Sequence, residues 1–429
     1  MSSAPSSAPH RIACDSLVAL GGATVDGAVL FAKNSDRPAQ ECQPLLQAPR
    51  QSHAPGKPLH CSYIDIPQVT ETSRLIGSRP FWCWGFEHGL NEYGVAIGNH
   101  TVFTKDSLGG NGLIGMDLVR LGLERGQNAA QAVEVMTALI EQYGQGGSGY
   151  QDKEWPYHNS FLVADRSAAF VLEASDRHWA LRQVENIGTV SNHLTIGADW
   201  DALSDGAIEH AIAAGWWSED SDQRFDFAAA YRDTTSVPEV ISIGRHQRTC
   251  ALLEQAQGRI GLDTLKRALR DHYGQATPAT DLTPEDQQYF SVCMHADPVG
   301  TTTASMIARI PPRADEPLIY WASLGSPCVG AFIPLYIDAE IPAVLGRGGK
   351  SASDDSLWWQ FKKLLAHVVE AWPRRGPRVR AALDQFETNL AEQMRSSGIS
   401  CGSAADRTAF MQAVVDDLSA RLRQLTAAV

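Results

Sequence analysis

Cys14 is the side chain whose position in the sequence most favours covalent chemistry. It lies where a Ser-, Ala- and Pro-rich leader, residues 1–13, meets the first apolar run of the chain. Cleavage after Ala13 would make Cys14 a chain terminus. Its free α-amine, which titrates near about 8, could then accept the proton of a thiol that titrates near about 8.5. The position predicts an N-terminal thiol nucleophile, with a buried structural thiol as the alternative.

Lys33 and Asp36 are predicted to lie beside this cysteine. Two β-prone runs, residues 17–20 and 28–32, flank a glycine-containing stretch that favours a hairpin turn centred near Thr24. Antiparallel pairing then places position 14 opposite about position 34. Lys33 would lower the thiol pKa and Asp36 would hold the amine. A solvated turn is the alternative for this polar cluster.

Two asparagines could supply an oxyanion hole. Asn99 and Asn192 each directly follow an apolar, strand-like run. An amide donor at the end of a strand can stabilise the negative oxygen that forms when an acyl carbon is attacked. The alternative for each asparagine is an ordinary turn residue.

Other catalytic arrangements are less well supported by the spacing. The chain has no His-Glu-x-x-His sequence and no closely spaced cysteine pair, so we predict no metal site and no cofactor. A papain-like pair of a cysteine with His100 or His295 lacks the local signature of that class. The side chains considered as metal ligands are Glu87, His88, His158 and His193.

The elements that must position these residues alternate between strands and helices. Apolar spacing predicts helices over 116–125, 129–143 and about 260–273, and strands in a meander between 160 and 184 and again between 302 and 337. This order predicts an antiparallel α+β layered fold. A linker-like run near 346 precedes three amphipathic helices, so we divide the chain into a leader (1–13), a body (14–345) and a helical extension (346–429).

Composition limits the classes of partner. The chain has 429 residues, 44% of them apolar, which is enough to build a large core. Its net charge of −13 argues against nucleic acid, and the absence of a long apolar run argues against a membrane span or a signal peptide. We therefore expect a cytoplasmic protein that acts on a small molecule. Homo-oligomerisation stays open, and the seven cysteines other than Cys14 are expected to be ordinary buried thiols.

Several stretches resemble a known family. They spread from residue 14 to about 340, with a weaker likeness in the tail, and resemble the secernins within the cysteine dipeptidase family of N-terminal-nucleophile (Ntn) hydrolases. The stretches are Cys14–Ala19, Phe31–Arg37, Ser78–Glu87, Gly89–Asn99, Leu113–Arg125, Tyr143–Gly147, His158–Phe161, Ala214–Trp217 and Thr301–Ser305.

This resemblance implies a four-layer αββα sandwich and an amide hydrolase, most simply a dipeptidase, acting on a small peptide or amide. It implies that Cys14 is the nucleophile, exposed by removal of residues 1–13, and that Lys33 and Asp36 are its charged neighbours. Asn99 would donate its backbone amide and Asn192 its side-chain amide to the oxyanion. Related amidases use a further arginine, for which the region 300–305 offers no match. The alternative is a catalytically silent secernin-like protein that acts as a regulatory or interaction module.

Overall fold

The computed structural model describes residues 13–235, 239–278, 282–297 and 299–428. Most of the predicted leader, residues 1–12, lies outside the described residues, whereas Ala13 already belongs to the first strand. No helix within these ranges is long and apolar enough to cross a bilayer.

The strands are β1 (Ala13–Ala19), β2 (Val29–Arg37), β3 (Leu45–Ala48), β4 (Gln51–Ser52), β5 (Pro58–His60), β6 (Asp65–Pro67), β7 (Glu71–Thr72), β8 (Leu75–Ser78), β9 (His88–Asn91), β10 (Ala96–Val102), β11 (His158–Ala164), β12 (Ala169–Ser175), β13 (His178–Gln183), β14 (Ile187–Val190), β15 (Ala202–Leu203), β16 (His295–Ala296), β17 (Gly300–Ile310), β18 (Ile319–Leu324) and β19 (Ile333–Tyr336). The helices are α1 (Gly115–Arg125), α2 (Ala129–Tyr143), α3 (Ala207–Ala213), α4 (Phe227–Tyr231), α5 (Ile243–Ala256), α6 (Leu262–Leu269), α7 (Leu357–Val369), α8 (Trp372–Ser397) and α9 (Ala404–Ala428). Short 3-10 turns include Pro327–Val329.

Two antiparallel sheets form the centre of the body. The first sheet has the order β14-β1-β2-β17-β18-β19, with β16 also paired to β17, and the second has the order β15-β13-β12-β11-β10-β9-β8-β3. Strands β1 and β10 touch across the interface between the sheets. Helices α1 and α2 cover the second sheet, and α5 and α6 cover the first. The predicted α+β architecture, a four-layer αββα sandwich, is therefore confirmed.

The β1–β2 hairpin confirms the predicted register. Cys14 lies opposite Ser35, and Ala13 lies opposite Asp36, one residue from the expected pairing. Gly27 in the turn adopts a φ of 74°, which a residue with a side chain rarely adopts. The hairpin therefore returns the polar end of β2 to the start of β1.

The C-terminal helices form as predicted but pack into the main core. Helix α7 contacts β18 and α9 contacts β19. The buried Trp358 indole donates to the Thr303 carbonyl at 2.8 Å, and side chains of α7, α8 and α9 share one apolar cluster with both sheets. The extension is therefore packed directly on the first sheet.

Helix α5 was not predicted from the sequence. Its apolar residues are sparse, and its inward face is formed by Arg245, Thr249 and Leu253 at four-residue spacing. A polar inward face gives no apolar stripe, which is the signal that periodicity detects. This helix nevertheless carries a central residue of the candidate site.

Candidate active site

Cys14 is buried at the start of β1, with 1% of its surface exposed. Its side chain packs with Tyr150, Tyr157 and Trp155. Burial raises the thiol pKa to about 12, although the nearby charge of Lys33 opposes this shift. With the leader still attached, the thiol is therefore protonated at neutral pH, and a local base is needed to activate it.

Alternate residues of the hairpin face opposite layers of the sandwich. Ser16 faces the second sheet, where its hydroxyl is hydrogen-bonded to His100 Nε2 at 2.8 Å. Lys33 lies opposite Ser16 and is fully buried; its Nζ donates to Ser35 Oγ at 2.8 Å. Because Cys14 is two residues from Ser16, its thiol points into the same interface between the sheets.

Gly98 of β10 makes room for the Lys33 side chain. A Cβ at this position would lie 2.5 Å from Lys33 Cδ, which is closer than real side chains approach. The Lys33 ammonium also lies 3.6 Å from Glu87 Oε2. The second sheet therefore positions the cation that acts on the thiol.

Asp36 faces the other side of the first sheet, toward the helices. Thr302 Oγ1 donates to its Oδ1 at 2.6 Å, whereas its buried Oδ2 has no hydrogen-bond partner among the described residues. Burial raises the Asp36 pKa from 3.8 to about 7, and the charge of Arg245 opposes the shift. Asp36 Oδ2 is thus an acceptor oxygen without a donor, and Asp36 lies next to the strand that carries Cys14.

Arg245 of α5 is a central residue that sequence reasoning missed. Its fully buried guanidinium donates from Nη1 to Asp15 Oδ2 at 2.5 Å and to the Cys14 carbonyl at 3.3 Å, and from Nη2 to Asn192 Oδ1 at 2.7 Å. The same Nη1 lies 3.9 Å from Asp36 Oδ2. The region 300–305 was considered for this cation, but the structure brings a residue of α5 to the site. Its spacing from Ile241, Thr249 and Leu253 is the signal that could have identified it.

Asn192 contacts Cys14 directly. Its Oδ1 accepts the backbone N–H of Cys14 at 2.8 Å, and its Nδ2 donates to the Thr101 carbonyl at 2.9 Å. Since a carboxamide nitrogen carries two hydrogens, one remains for a further acceptor. Asn192 thus joins β1, β10 and α5 at one point.

Asn99 lies on the neighbouring sheet rather than against Cys14. It alternates on β10 with Gly98 and His100, which face the first sheet, so its side chain points toward the helix layer, near Asn159. When its carboxamide is oriented so that both the oxygen and the nitrogen have partners, the Asn99 amide nitrogen donates to Glu87 Oε2 at 2.9 Å. Its backbone N–H donates to the Glu87 carbonyl at 3.2 Å. Its assignment to the oxyanion hole stays a prediction.

A cavity of about 430 Å³ shares one lining residue, Tyr150, with the cluster that packs around Cys14. Phe81 and Lys153 also line this cavity. The Lys153 ammonium lies 3.9 Å from the centre of the Tyr150 ring, and its nitrogen is buried without a described hydrogen-bond partner. Burial lowers the Lys153 pKa to about 8. The cavity is thus lined by two lysines, Lys153 and Lys350, and by the aromatic side chains of Phe81 and Tyr150.

Four aromatic residues of the body, Phe81, Trp82, Trp84 and Trp155, lie in different surroundings. Phe81 lines the cavity, and Trp155 packs with Cys14. The Trp82 indole donates to Glu41 Oε2 at 3.0 Å. Trp84 instead packs against the Arg120 guanidinium, which lies 4.1 Å from its ring centre.

The residues first considered as metal ligands are each engaged by separate protein groups. Glu87 lies between Lys33 and Arg37. The histidines pair with hydroxyl groups: His88 with Tyr320, His158 with Thr104 and His193 with Ser242.

The expectation of buried cysteines was only partly correct. Cys42, Cys83 and Cys293 are buried, but Cys401 is exposed on the surface. The remaining three are half-buried; they are Cys61, Cys250 and Cys328. Cys401 follows helix α8 in a polar 3-10 turn, where the three helices no longer cover it.

Comparisons with known proteins give distant relatives. The chain is similar to streptococcal dipeptidases. Two proteins named "Probable dipeptidase A", from Streptococcus pyogenes serotypes M18 and M1, are each 21% identical over 406 residues, covering 83% of this chain and 82% of the relative. No family model matches the chain.

Solved structures were also compared with the chain. Penicillin V acylase from Agrobacterium tumefaciens has a TM-score of 0.44 at 13% identity, with 75% of this chain and 86% of that chain covered. The conjugated bile acid hydrolase from Clostridium perfringens has a TM-score of 0.39 at 12% identity, with 72% and 88% covered.

Proposed function

We propose that this chain is an amide hydrolase, most simply a dipeptidase, whose nucleophile is Cys14 after the leader has been removed. The observation that carries this proposal is the set of contacts around the Cys14 backbone. Asn192 accepts its N–H, Arg245 donates to its carbonyl, and Asp36 presents an acceptor oxygen without a donor. The Cys14 backbone is thus held by two buried polar side chains, Asn192 and Arg245, and Asp36 lies on the neighbouring strand, opposite Ala13.

Hydrolysis of the Ala13–Cys14 peptide bond would convert the backbone N–H into an α-amine. The amine would remain against Asn192 Oδ1, and Asp36 Oδ2 is the nearby acceptor for its ammonium form. This gives the buried thiol the base it lacks in the longer chain. An unperturbed α-amine and an unperturbed thiol titrate within about one pKa unit of each other, and the charge of Lys33 opposes the rise that burial causes in the pKa of the Cys14 thiol. Lys33 would stabilise the thiolate.

The reaction then follows the chemistry of acyl transfer. The amine accepts the thiol proton, and the thiolate sulfur forms a bond to the substrate carbonyl carbon, whose oxygen becomes the oxyanion. The second hydrogen of Asn192 Nδ2 would stabilise this oxygen. The predicted contribution of the Asn99 backbone N–H would require that group to leave the Glu87 carbonyl, to which it donates at 3.2 Å. The ammonium returns its proton to the leaving nitrogen as the C–N bond breaks. A water, deprotonated by the same amine, then releases the acyl group as a carboxylic acid.

The cavity favours a small substrate with a negative end. Lys153 could pair with the terminal carboxylate of a dipeptide, and Phe81 and Tyr150 could contact its apolar part. The name of the streptococcal relatives, which match most of the chain, supports a dipeptidase.

Turnover of a dipeptide panel by purified full chain tests this proposal. We expect Cys14→Ala to abolish turnover and to retain residues 1–13, whereas Cys250→Ala, at a half-buried cysteine elsewhere in the body, keeps both processing and turnover. Undiminished turnover in Cys14→Ala would exclude Cys14 as the nucleophile. An intact leader together with no turnover in the wild type would favour the silent interaction module.

A further inference from the structure

Four potential metal ligands meet at the opposite side of Asp36 from the nucleophile. The cluster consists of His272, Cys293, His295 and Cys328, and one ligand atom from each lies within 4.8 Å of all the others. His272 and Cys293 are buried, and His295 and Cys328 are half-buried. No other group of three or more His, Cys, Asp or Glu in the described ranges has this geometry.

The distances inside the cluster match a tetrahedral site. Zinc binds thiolate at about 2.3 Å and imidazole at about 2.0–2.1 Å, so neighbouring ligand atoms on a tetrahedron are about 3.3–3.8 Å apart. His295 Nε2 lies 3.5 Å from Cys293 Sγ and 3.2 Å from Cys328 Sγ. The rings of His272 and His295 are 5.3 Å apart between their centres. One ion could therefore reach all four groups with small side-chain adjustments.

A buried and unpartnered nitrogen provides an independent indication. Only 5% of the His272 surface is exposed, and its Nε2 has no hydrogen-bond partner among the described residues. A buried polar atom without a partner is costly unless water or an ion satisfies it. A ring nitrogen with a free lone pair is what zinc requires of histidine.

The surrounding elements hold the four ligands in place. Cys293 lies in the bend just before β16 and His295 is the first residue of that strand, and their side chains meet, with Cys293 Sγ 3.5 Å from His295 Nε2. The Cys293 N–H donates to the Asp271 carbonyl at 3.1 Å, beside His272. Arg270 Nε donates to the Pro327 carbonyl at 2.9 Å, which fixes the turn that carries Cys328.

We propose that His272, Cys293, His295 and Cys328 bind one zinc ion in a closed Cys₂His₂ site. Two thiolates and two imidazoles in tetrahedral geometry are the donor set that suits zinc. Because the protein fills all four positions, the site is structural and leaves no position for a substrate.

Such an ion would stabilise the segment that connects to Asp36 through Thr302. Met294, between two of the ligands, donates its N–H to Thr302 Oγ1 at 2.8 Å, and the same hydroxyl donates to Asp36. On its other side the His295 ring packs edge-on against Trp372 of α8, 5.1 Å between centres. The zinc site would therefore join the end of α6, the β16 segment, the 327–329 turn and the C-terminal helices.

Elemental analysis of the full chain tests this proposal. The protein is produced without a metal-affinity tag, dialysed against metal-free buffer and analysed by inductively coupled plasma mass spectrometry. We expect about one zinc per chain. Replacement of zinc by Co²⁺ should give intense d–d bands of tetrahedral cobalt and a thiolate-to-cobalt charge-transfer band. Zinc far below one per chain after growth in zinc-supplemented medium, or cobalt spectra without the thiolate band, would overturn it.

Substitution of individual ligands tests whether the zinc ion binds at this cluster. We expect Cys328→Ser and His295→Gln to lose the zinc, whereas Cys250→Ser keeps it; Cys250 is a matched control because its sulfur also lies near a histidine nitrogen, His246 Nε2, at 3.8 Å. Full retention of zinc in both cluster variants would place the ion elsewhere and contradict the proposal. A Cys293–Cys328 disulfide in a non-reducing peptide map of the wild type would also contradict it. If the variants do not fold, the wild-type zinc content and cobalt spectrum decide.

Discussion

Arg245 holds together the charged groups around the start of β1. It faces two buried carboxylates, Asp15 and Asp36, and also binds the Cys14 carbonyl and Asn192. Charges without exposure to water need such partners, because desolvation otherwise drives a carboxylate toward its neutral form. The site is therefore a compact network in which positioning and charge balance depend on one side chain.

Removing this guanidinium should destabilise the fold. We expect Arg245→Met to lower the free energy of unfolding by about 3–5 kcal/mol, since Asp15 would be left buried without its cation. Arg182→Met is the control, because that arginine pairs with a largely exposed Asp199 and should cost about 1 kcal/mol or less. Urea unfolding, followed by fluorescence, measures both. Equal effects of the two substitutions would contradict the role given to Arg245.

Asp36 should make stability depend on pH. Burial raises its pKa from 3.8 to about 7 in the folded chain, so the folded state binds more protons between these two pH values. This group therefore makes the free energy of unfolding fall as pH rises from about 4 to 7, against the opposite effect of buried histidines such as His158, whose pKa burial lowers to about 4. Burial raises the pKa of Asp117 to about 7 as well, so Asp36→Asn should flatten this dependence only in part.

Urea unfolding at several pH values tests this, with Cys14→Ala as the parent chain so that processing does not intervene. An unchanged slope between the parent and its Asp36→Asn derivative would show that Asp36 does not titrate in this window.

At the scale of single residues, the sequence predicted the side chains that the β1–β2 hairpin brings to Cys14. Lys33 and Asp36 were predictable because a short turn fixes which residues of β2 return to Cys14. Arg245 was not, because it is more than two hundred residues away and only the packing of α5 on the first sheet brings it to Cys14. The Cys₂His₂ cluster was missed for the same reason, since its ligands come from three separate segments.

Each secondary-structure element around the site supplies a different group of residues. Strands β1 and β2 carry Cys14 and its charged neighbours, β10 supports Lys33 from the second sheet, and α5 supplies Arg245. The segment between α2 and β11 closes the cavity with Tyr150 and Lys153. Apolar periodicity predicted α1 and α2 with nearly correct ends, whereas α5 was missed because its inward face is polar.

The cavity segment should determine preference for a charged substrate. We expect Lys153→Met to raise KM about tenfold or more for dipeptides, because a charge-assisted contact to the carboxylate is lost. The same change should leave KM nearly unaltered for dipeptide amides, which lack that carboxylate. Steady-state kinetics on matched pairs measure this difference. Lys350→Met is the control, because Lys350 lines the same cavity but is exposed and already pairs with Asp152.

A parallel rise in KM for acids and amides would show that Lys153 shapes the cavity without recognising the carboxylate.

At the scale of the whole molecule, body and C-terminal helices share one core. Trp358, Leu383 and Met411, one from each helix, belong to the apolar cluster that also includes residues of β1 and β17. The sequence predicted the change of character near residue 346 from its linker-like composition. It could not indicate that the helices pack on the first sheet, because an apolar stripe does not identify its partner.

Truncation should therefore not leave a stable body. We expect removal of residues 346–429 to give insoluble or unfolded chain, since β18 and β19 would lose their apolar cover. Removal of residues 426–429 alone, beyond the last buried leucine, Leu422, should leave the melting temperature nearly unchanged. Circular dichroism and thermal unfolding of the two chains provide the comparison. A soluble, cooperatively folding 1–345 fragment would establish the body as an independent domain.

The most direct test of the account is to trap the acyl group on the enzyme. The full chain is mixed with a slowly hydrolysed activated amide, quenched in acid, and analysed by intact mass and peptide mapping. We expect a chain that begins at Cys14 and carries one acyl group as a thioester on that residue, with none on Cys14→Ala. Acylation of a different residue, or turnover by a chain that retains residues 1–13, would contradict the assignment of Cys14 as an N-terminal nucleophile.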